Sequence, residues 1–205
     1  MNTRLQVEHP VTEAVTGVDL GRAQLIVAAG GALPWTQDGL SQRGHAIECR
    51  VYAEDPRHGF LPQAGPLLLY REPHGPGIRI DSGVVEGYAM PVTYDPLIAK
   101  LTAAAESRDA AIARALAALR PFPVLGIRTN IPFLIAVLDH SAFRAGTVDT
   151  GFIEAHLDEL LARPGTPPEA LAAAALASTA PPSSSSTTSV PDPWTSLAGW
   201  GRAQA

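Results

Sequence analysis

Polar and apolar side chains alternate with a period of two over the first eight residues, MNTRLQVE. Because successive side chains of a β-strand point to opposite faces, this pattern is typical of a half-buried strand. The polar face carries Asn2, Arg4, Gln6 and Glu8, and the other face carries Thr3, Leu5 and Val7. We therefore predict an opening strand that displays four unlike polar groups in a row.

A second alternation predicts a strand in HAIECRVYAED, residues 45–55, with Glu48 and Arg50 on its polar face. Its apolar face carries Ile47, Cys49, Val51 and Ala53. Shorter strands, bounded by Gly and Pro, are expected in PLLLYRE and GIRIDSGVV.

Helix patterns fill most of the remaining first 160 or so residues. We expect a short helical turn over 10–16, then a helix capped by Asp19 and ended by Gly30 and Gly31. Ser107 is placed to cap the Ala-rich helix RDAAIARALAALRP. Two further helices are expected in TNIPFLIAVLDHSAF and DTGFIEAHLDELLA.

This order of elements predicts an α+β fold with a largely antiparallel sheet and packed helices. From about Arg163, Pro, Ala, Ser and Thr dominate, as in PPSSSSTTS, and apolar residues become too few to form a core. We therefore predict a disordered Pro/Ser/Ala-rich tail from about Arg163. The last stretch, SVPDPWTSLAGWGRAQA, holds two of the three tryptophans and either docks elsewhere or begins another domain.

Composition narrows the function classes. The formal net charge of -5 argues against nucleic acid as a partner, because nucleic-acid binders usually present a basic stripe. No apolar run is long enough to span a membrane, and we expect no signal peptide. The single cysteine, Cys49, excludes an internal disulfide and favours a reducing compartment, so we expect a cytoplasmic protein.

The polar groups of the opening segment suit an anion. Arg4 offers planar donors for a carboxylate, phosphate or bicarbonate, and Glu8 is close enough along the face to act as a general base. Gln6 can donate and accept between them, and the Asn2 oxygen suits Mg²⁺. Physical chemistry alone does not name the anion, and a solvated sheet face is the plainer interpretation.

Glu48 and Arg50 could form a surface ion pair, which contributes little to stability. Alternatively, if the two predicted strands are neighbours, Arg50 adds a second cation that stabilises a developing anion. The six histidines lack the paired spacing of zinc sites, and Cys49 on an apolar face is more typical of a core residue than of a nucleophile.

Four motifs in order, NTRLQVEHPVTE, GHAIECRVYAEDP, YDPLIAKL and GIRTNIPFL, resemble the C-terminal third of biotin carboxylase, an ATP-grasp enzyme. The resemblance divides the chain into the end of an ATP-grasp region (1–30), a biotin carboxylase C-terminal domain (31–162), and a linker with the start of a following region (163–205). The family makes carboxybiotin from ATP, bicarbonate and biotin on a carrier domain, with Mg²⁺ or Mn²⁺.

The resemblance also implies residue roles. Glu8 corresponds to the base that deprotonates bicarbonate, and Arg4 to the arginine that binds bicarbonate and carboxyphosphate. Gln6 and the Val7 backbone correspond to the rest of the bicarbonate pocket, and Asn2 to a residue of the Mg-ATP site. Arg50 corresponds to the arginine that stabilises the biotin enolate. Asp95 either orients Arg50 as an outer partner or caps a helix through PLIAKL.

Other features set the limits of the resemblance. The family's remaining ATP-binding residues have no counterpart in this sequence, so we expect negligible activity from this chain alone. Arg79 fits the family's dimer segment, whereas Pro76 replaces a common aromatic and leaves a homodimer open. The Trp-containing tail is similar to α-subunits of acyl-CoA carboxylases, which implies a carrier domain and a carboxyltransferase subunit as partners. Urea carboxylase, another ATP-grasp ligase and a non-catalytic interaction module are the alternatives.

Overall fold

A computed structural model of the chain describes residues 2–162 and 168–179. The chain divides into two units, Met1–Ala162 and Arg163–Ala205. In the second unit the structure describes one helix, Pro168–Thr179, inside the segment that we predicted to be disordered. Its run of alanines has a high helix propensity, which the surrounding Pro and Ser residues obscure in the sequence. The rest of the predicted tail, including both of its tryptophans, lies outside the described residues.

The first unit contains short helices and strands. Its helices are α1 (His9–Thr16), α2 (Leu20–Ala28), α3 (Arg108–Leu119), α4 (Ile131–Asp139), α5 (Ser141–Ala145), α6 (Phe152–Ala155) and α7 (Leu157–Leu160). Its strands are β1 (His45–Tyr52), β2 (Glu54–Asp55), β3 (Leu61–Pro62), β4 (Gly65–Pro66), β5 (Leu69–Tyr70), β6 (Ile78–Ser82), β7 (Ala89–Met90), β8 (Leu97–Ala105) and β9 (Val124–Leu125). The helix of the second unit is α8. Three-residue 3₁₀ turns cover Gln37–Gly39 and Pro56–His58.

Strand β8 is the centre of a three-stranded antiparallel sheet with the order β1-β8-β6. The other strands form three antiparallel pairs, β2 with β3, β4 with β7, and β5 with β9. The prediction of an α+β fold with a largely antiparallel sheet is confirmed. The alternative of a helix through PLIAKL is wrong, because hydrogen bonds to strands on both edges hold these residues extended in β8.

One face of this sheet is apolar and packs against α3. Cys49 of β1 lies opposite Leu101 of β8, which lies opposite Ile80 of β6. Cys49 and Leu101 are buried in one cluster with Ile112 and Leu116 of α3. Helix α3 begins where the sequence predicts, because the Ser107 hydroxyl accepts a hydrogen bond from the Ala110 N–H at 3.2 Å.

The opposite face of the sheet is polar, and its side chains form two rows. Arg50 of β1 lies opposite Lys100 of β8, which lies opposite Asp81 of β6. In the next row Glu48 lies opposite Thr102, and Thr102 lies opposite Arg79. Helix α1 lies near β1 and β8. The segment that precedes α1 contacts the first row, through Arg50 and Lys100.

Two glycines bring the outer strands onto the same end of β8. Gly44 precedes β1 and Gly77 precedes β6, with φ angles of 65° and 69°. A Cβ atom at Gly44 would lie 2.4 Å from the Ala105 carbonyl oxygen, and one at Gly77 would lie 2.4 Å from that of Ala104. Both positions therefore need glycine for its left-handed conformation and for the missing side chain.

The prediction of an opening strand is wrong. Residues 2–8 lie outside every described strand, and the chain turns at Val7 and Glu8 into α1. The His9 N–H donates to the Gln6 carbonyl at 3.2 Å, and Pro10 is in the first turn of α1, where it needs no intrahelical donor. Leu5 and Val7 are 42% and 36% exposed, so the apolar half of the alternation has no core to contact within the described residues.

Cys49 lies in the core, and burial, followed by the charge of Glu48, raises the pKa of its thiol to about 12. At pH 8 only roughly one thiol in ten thousand is then ionised, compared with a sizeable fraction of an unperturbed cysteine. We expect Cys49 to resist Ellman's reagent in the native protein at pH 8 and to react within minutes in 8 M urea. Fast reaction in the native state would contradict its placement in the core.

Asp55 connects three parts of the first unit. Its side chain is 7% exposed and accepts hydrogen bonds from His58 Nδ1 at 2.8 Å, the Arg57 N–H at 3.1 Å and Arg128 Nη1 at 2.6 Å. The hydrogen bond from His58 and then those from Arg57 and Arg128 lower the pKa of this carboxyl below its ordinary value, although burial opposes them. The ionised form is therefore favoured in the folded state.

A carboxyl with a lowered pKa contributes stability above its unfolded pKa, about 3.9, and loses it as the pH falls through the folded pKa. We expect Asp55→Asn to lower the free energy of unfolding at pH 7 and to reduce the loss of stability below pH 4. Urea unfolding at pH 7, 4 and 3 measures both effects. The exposed Asp38→Asn change is the matched control, and an equal effect of the two substitutions would refute the assignment.

Candidate active site

The opening segment, defined as residues 2–8, contacts the polar face of the sheet through two successive residues. Lys100 Nζ donates a hydrogen bond to the Val7 carbonyl oxygen at 2.9 Å. Arg50 Nη2 donates to Glu8 Oε2, also at 2.9 Å. Since Arg50 and Lys100 lie opposite each other on β1 and β8, both contacts fall at one position of the sheet. The segment therefore lies beside Arg50 without being a strand.

Arg50 is held from below as well. Its Nε lies 3.3 Å from Glu48 Oε1, and the Glu48 side chain is only 6% exposed, whereas that of Arg50 is 40% exposed. Burial lowers the pKa of Arg50, but hydrogen bonds and charge interactions with Glu48 and Tyr52 outweigh it and raise the pKa above its ordinary value. The pair is therefore no simple surface ion pair, since its acid is buried and its cation faces outward.

Arg4, Gln6 and Glu8 line one open groove of about 750 Å³. Its other wall is largely apolar and comes from α2 and the residues after it: Leu20, Ala23, Val27, Ala28, Leu33 and Trp35. Arg4 is exposed, and its one hydrogen bond within the described residues is a long one, 3.4 Å, from Nη1 to the Leu5 carbonyl oxygen. The guanidinium therefore keeps donors that can bind an anion in the groove.

The other predicted site residues are placed differently. Val7 is exposed and joins the site through its carbonyl oxygen, which Lys100 binds. Asn2 is exposed and is not part of the groove lining. Asp95 accepts a hydrogen bond from the Leu97 N–H at 2.9 Å, where β8 begins, while the acids that bond Arg50 are Glu8 and Glu48. The role of Asp95 as an outer partner of Arg50 stays a prediction.

Lys100 is the residue of this site that sequence reasoning missed. Its side chain is 12% exposed, and Nζ also lies 3.7 Å from Asp81 Oδ2. Asp81 in turn pairs with Arg79, which donates to Glu13 of α1 at 3.0 Å. A strand assignment for YDPLIAKL would have identified Lys100, because its pairing with HAIECRVYAED puts the lysine opposite Arg50.

Three titratable side chains away from this site also come together. His140 Nε2 lies 3.4 Å from Glu159 Oε1, and His156 Nδ1 lies 3.3 Å from Glu159 Oε2. Sequence spacing did not indicate this cluster, because the turns between α4 and α7 create it. His140 Nδ1 accepts a hydrogen bond from the Ala142 N–H, so in the neutral ring Nε2 carries the proton. The Nε2 proton of His140 occupies the position that a metal ion would take. Glu159 accepts hydrogen bonds from both histidine rings, which explains the two short contacts.

Mg²⁺ usually binds through one or two carboxylates together with substrate phosphates. Of the residues predicted to hold it, the described part of the chain supplies only Asn2, whose side chain is exposed and belongs to no cluster of acids. The described residues therefore do not form a Mg²⁺ site by themselves, and no chemical step is derived through the ion.

Comparison with protein families gives two matches, in successive parts of the chain. The Biotin carboxylase C-terminal domain matches residues 48–155, and the Carbamoyl-phosphate synthase L chain, ATP binding domain, matches residues 1–36. The first match covers more than half of the chain and contains Arg50 and Lys100. The second contains the opening segment and α2.

Individual relatives agree with these matches. The chain is 48% identical over 157 residues to the Biotin carboxylase of Halalkalibacterium halodurans, with 77% of the chain and 34% of the relative covered. It is 48% identical over 162 residues to the mitochondrial Methylcrotonoyl-CoA carboxylase subunit alpha of Rattus norvegicus, with 78% and 23% covered. The chain thus spans about a third or less of the length of these relatives.

Solved structures show the same fold. The biotin carboxylase domain dimer of Hydrogenobacter thermophilus 2-oxoglutarate carboxylase, in complex with MgADP, ADP and bicarbonate, matches with a TM-score of 0.77 and 40% identity. The match covers 80% of this chain and 36% of that one. With half of its residues matched by one family and with this fold, the chain belongs to the biotin carboxylase C-terminal domain family.

Proposed function

We propose that this chain carries the bicarbonate-facing and biotin-facing part of a biotin carboxylase. The reaction converts ATP, bicarbonate and biotin on a carrier domain into ADP, phosphate and carboxybiotin. The observation that carries the proposal is the 2.9 Å ion pair between Glu8 and Arg50, which joins the opening segment to the sheet beside the groove of Arg4 and Gln6. An acid and a cation bonded to it, beside a groove into which Arg4 can donate, are what this chemistry needs.

Each residue has a defined part in this proposal. The free donors of Arg4 bind bicarbonate and the carboxyphosphate formed from it, with Gln6 and the Val7 backbone as further contacts. Glu8, whose side chain is exposed, takes the proton of bicarbonate as the oxygen attacks the terminal phosphoryl group of ATP. Arg50 stabilises the enolate that forms when the ureido nitrogen of biotin loses its proton, and Asn2 faces Mg-ATP.

The Glu8–Arg50 pair also connects the two halves of the reaction. A carboxylate that has accepted a proton no longer attracts a guanidinium as an ion pair. Arg50 then keeps its buried partner Glu48, with Nε at 3.3 Å, while Nη2 becomes free for a new anion. Proton transfer to Glu8 therefore prepares Arg50 for the biotin enolate. Exposed ion pairs contribute only about 1 kcal/mol or less, so the exchange of partners is not costly.

The parent complex defines the remaining partners. We propose a biotin carrier domain and a carboxyltransferase subunit as its partners and the cytoplasm as its location. Relatives named for methylcrotonoyl-CoA and for pyruvate match about equally well, at 48% and 47% identity, so similarity does not select the acceptor. None of the described helices is long and apolar enough to cross a bilayer.

A homodimer is a further proposed partner arrangement. Arg79, the residue that fits the family's dimer segment, bonds to Asp81 and Glu13 within its own chain, so these two contacts do not depend on a second copy.

A chimera tests the proposal with the chemistry intact. The aligned region of the Halalkalibacterium halodurans biotin carboxylase is replaced by residues 1–162 of this chain, and biotin-stimulated ATP cleavage is measured. We expect activity in the chimera and none in the isolated chain. In the chimera, Glu8→Gln should lower kcat by about 100-fold, the usual size of a lost general base.

Glu106→Gln is the matched control, since it removes the same charge from an exposed loop beyond β8. Arg4→Ala should raise the KM for bicarbonate and leave the KM for ATP unchanged. If Glu8→Gln and Arg4→Ala both behave like the control, the proposal is wrong and the chain is better explained as an interaction module.

A further inference from the structure

Lys100 is the only lysine of the chain, and it binds the main chain of the opening segment. Its Nζ donates to the Val7 carbonyl oxygen at 2.9 Å, and its side chain is 12% exposed. A hydrogen bond from a charged donor is stronger than one between neutral groups, and an ammonium that is shielded from water is strongly held by such a partner.

The surroundings of Lys100 fix its direction. It lies between Arg50 and Asp81 in one row across the sheet, and its Nζ is 3.7 Å from Asp81 Oδ2. The central strand β8 is bonded on both edges, so the Cα atom of Lys100 cannot shift without breaking the sheet. The anchored Cα atom, the low exposure of the side chain and the contacts of Nζ with Val7 and Asp81 together hold the ammonium at this point of the sheet.

The opening segment has few other constraints. Residues 2–8 are all exposed, and they belong to no described helix or strand. The next residue along from Val7 is Glu8, whose carboxylate is bonded to Arg50. Two successive residues are thus attached to neighbouring strands at the same position, one by its main chain and one by its side chain. Two such attachments fix both the position and the direction of the segment.

We propose that Lys100 is a positioning residue for bicarbonate activation. By binding the Val7 carbonyl, it places the Glu8 carboxylate against Arg50 and sets the face that Gln6 and Arg4 present to the groove. The ammonium touches neither bicarbonate nor biotin and acts through the segment. The chemical meaning of this role rests on the proposed function, whereas the attachment itself does not.

The attachment is tested on the chain itself. We expect Lys100→Met to speed amide hydrogen exchange at His9 and Val11, which donate to the Gln6 and Glu8 carbonyls, by about tenfold. Exchange at Leu101 and Ala103 in the sheet should stay within about twofold. Lys100→Arg, which keeps a charged donor, should restore most of the protection.

Its consequence for the reaction is tested in the chimera. Lys100→Met should lower kcat/KM for bicarbonate by about tenfold with the KM for ATP unchanged, and Lys100→Arg should recover activity to within about threefold. Arg120→Met is the matched control, because Arg120 is an exposed cation whose carboxylate partner is Asp139, on α4.

The outcomes separate the two proposals. Unchanged exchange at His9, or acceleration that is as large at Ala103 as at His9, overturns the positioning role. Loss of protection at His9 with no change in kcat/KM for bicarbonate overturns it as well, provided that Glu8→Gln is impaired. If Glu8→Gln and Arg4→Ala are fully active, the proposed function is wrong. The role of Lys100 in bicarbonate activation is then wrong too, even if the exchange data show that Lys100 holds the opening segment.

Discussion

The pairing of β8 with strands on both of its edges is the constraint on which the rest of the first unit depends. It gives the sheet two faces of different chemistry from one nine-residue strand. Leu101 and Ala103 point toward α3 and form the core, while Lys100 and Thr102 point away from it. The same hydrogen bonds that bury the apolar row therefore hold the polar row in place, and the stability of the core fixes the geometry of the site.

The site itself is made by contacts between a sheet and a segment without regular structure. Exposed ion pairs such as Glu8–Arg50 add little to the free energy of folding, so their contribution is geometric. Burial of the Glu48 side chain next to Arg50 costs folding free energy. Oε2 of Glu48 and Oγ1 of Thr102 are both buried without hydrogen-bond partners within the described residues. Such groups are costly, and they are tolerated where a cation must be held in one direction.

Much of the fold could be predicted from local patterns. The alternation around Cys49, the cap at Asp19 and the cap at Ser107 depend on neighbours in sequence, and the structure has β1, α2 and α3 where they indicate. The opening strand was wrong because alternation reports a preference, whereas a strand also needs a partner. Arg4, Gln6 and Glu8 could still be grouped, because they share one groove. Lys100 could be grouped with them only after YDPLIAKL is assigned as a strand and paired with β1. The cluster of His140 with His156 could not be predicted, since it depends on which elements come together in the fold.

The two glycines at the entrances of β1 and β6 bear on how natural variants of this sequence should be interpreted. Gly44 and Gly77 are far from Glu8 in the chain, yet each faces a carbonyl at the end of β8. A methyl group at either position would push an outer strand away from the central one and shift Arg50 or Asp81 relative to Lys100. Such a variant would lose activity together with soluble protein. Its defect would be one of folding, although every reacting group is still present.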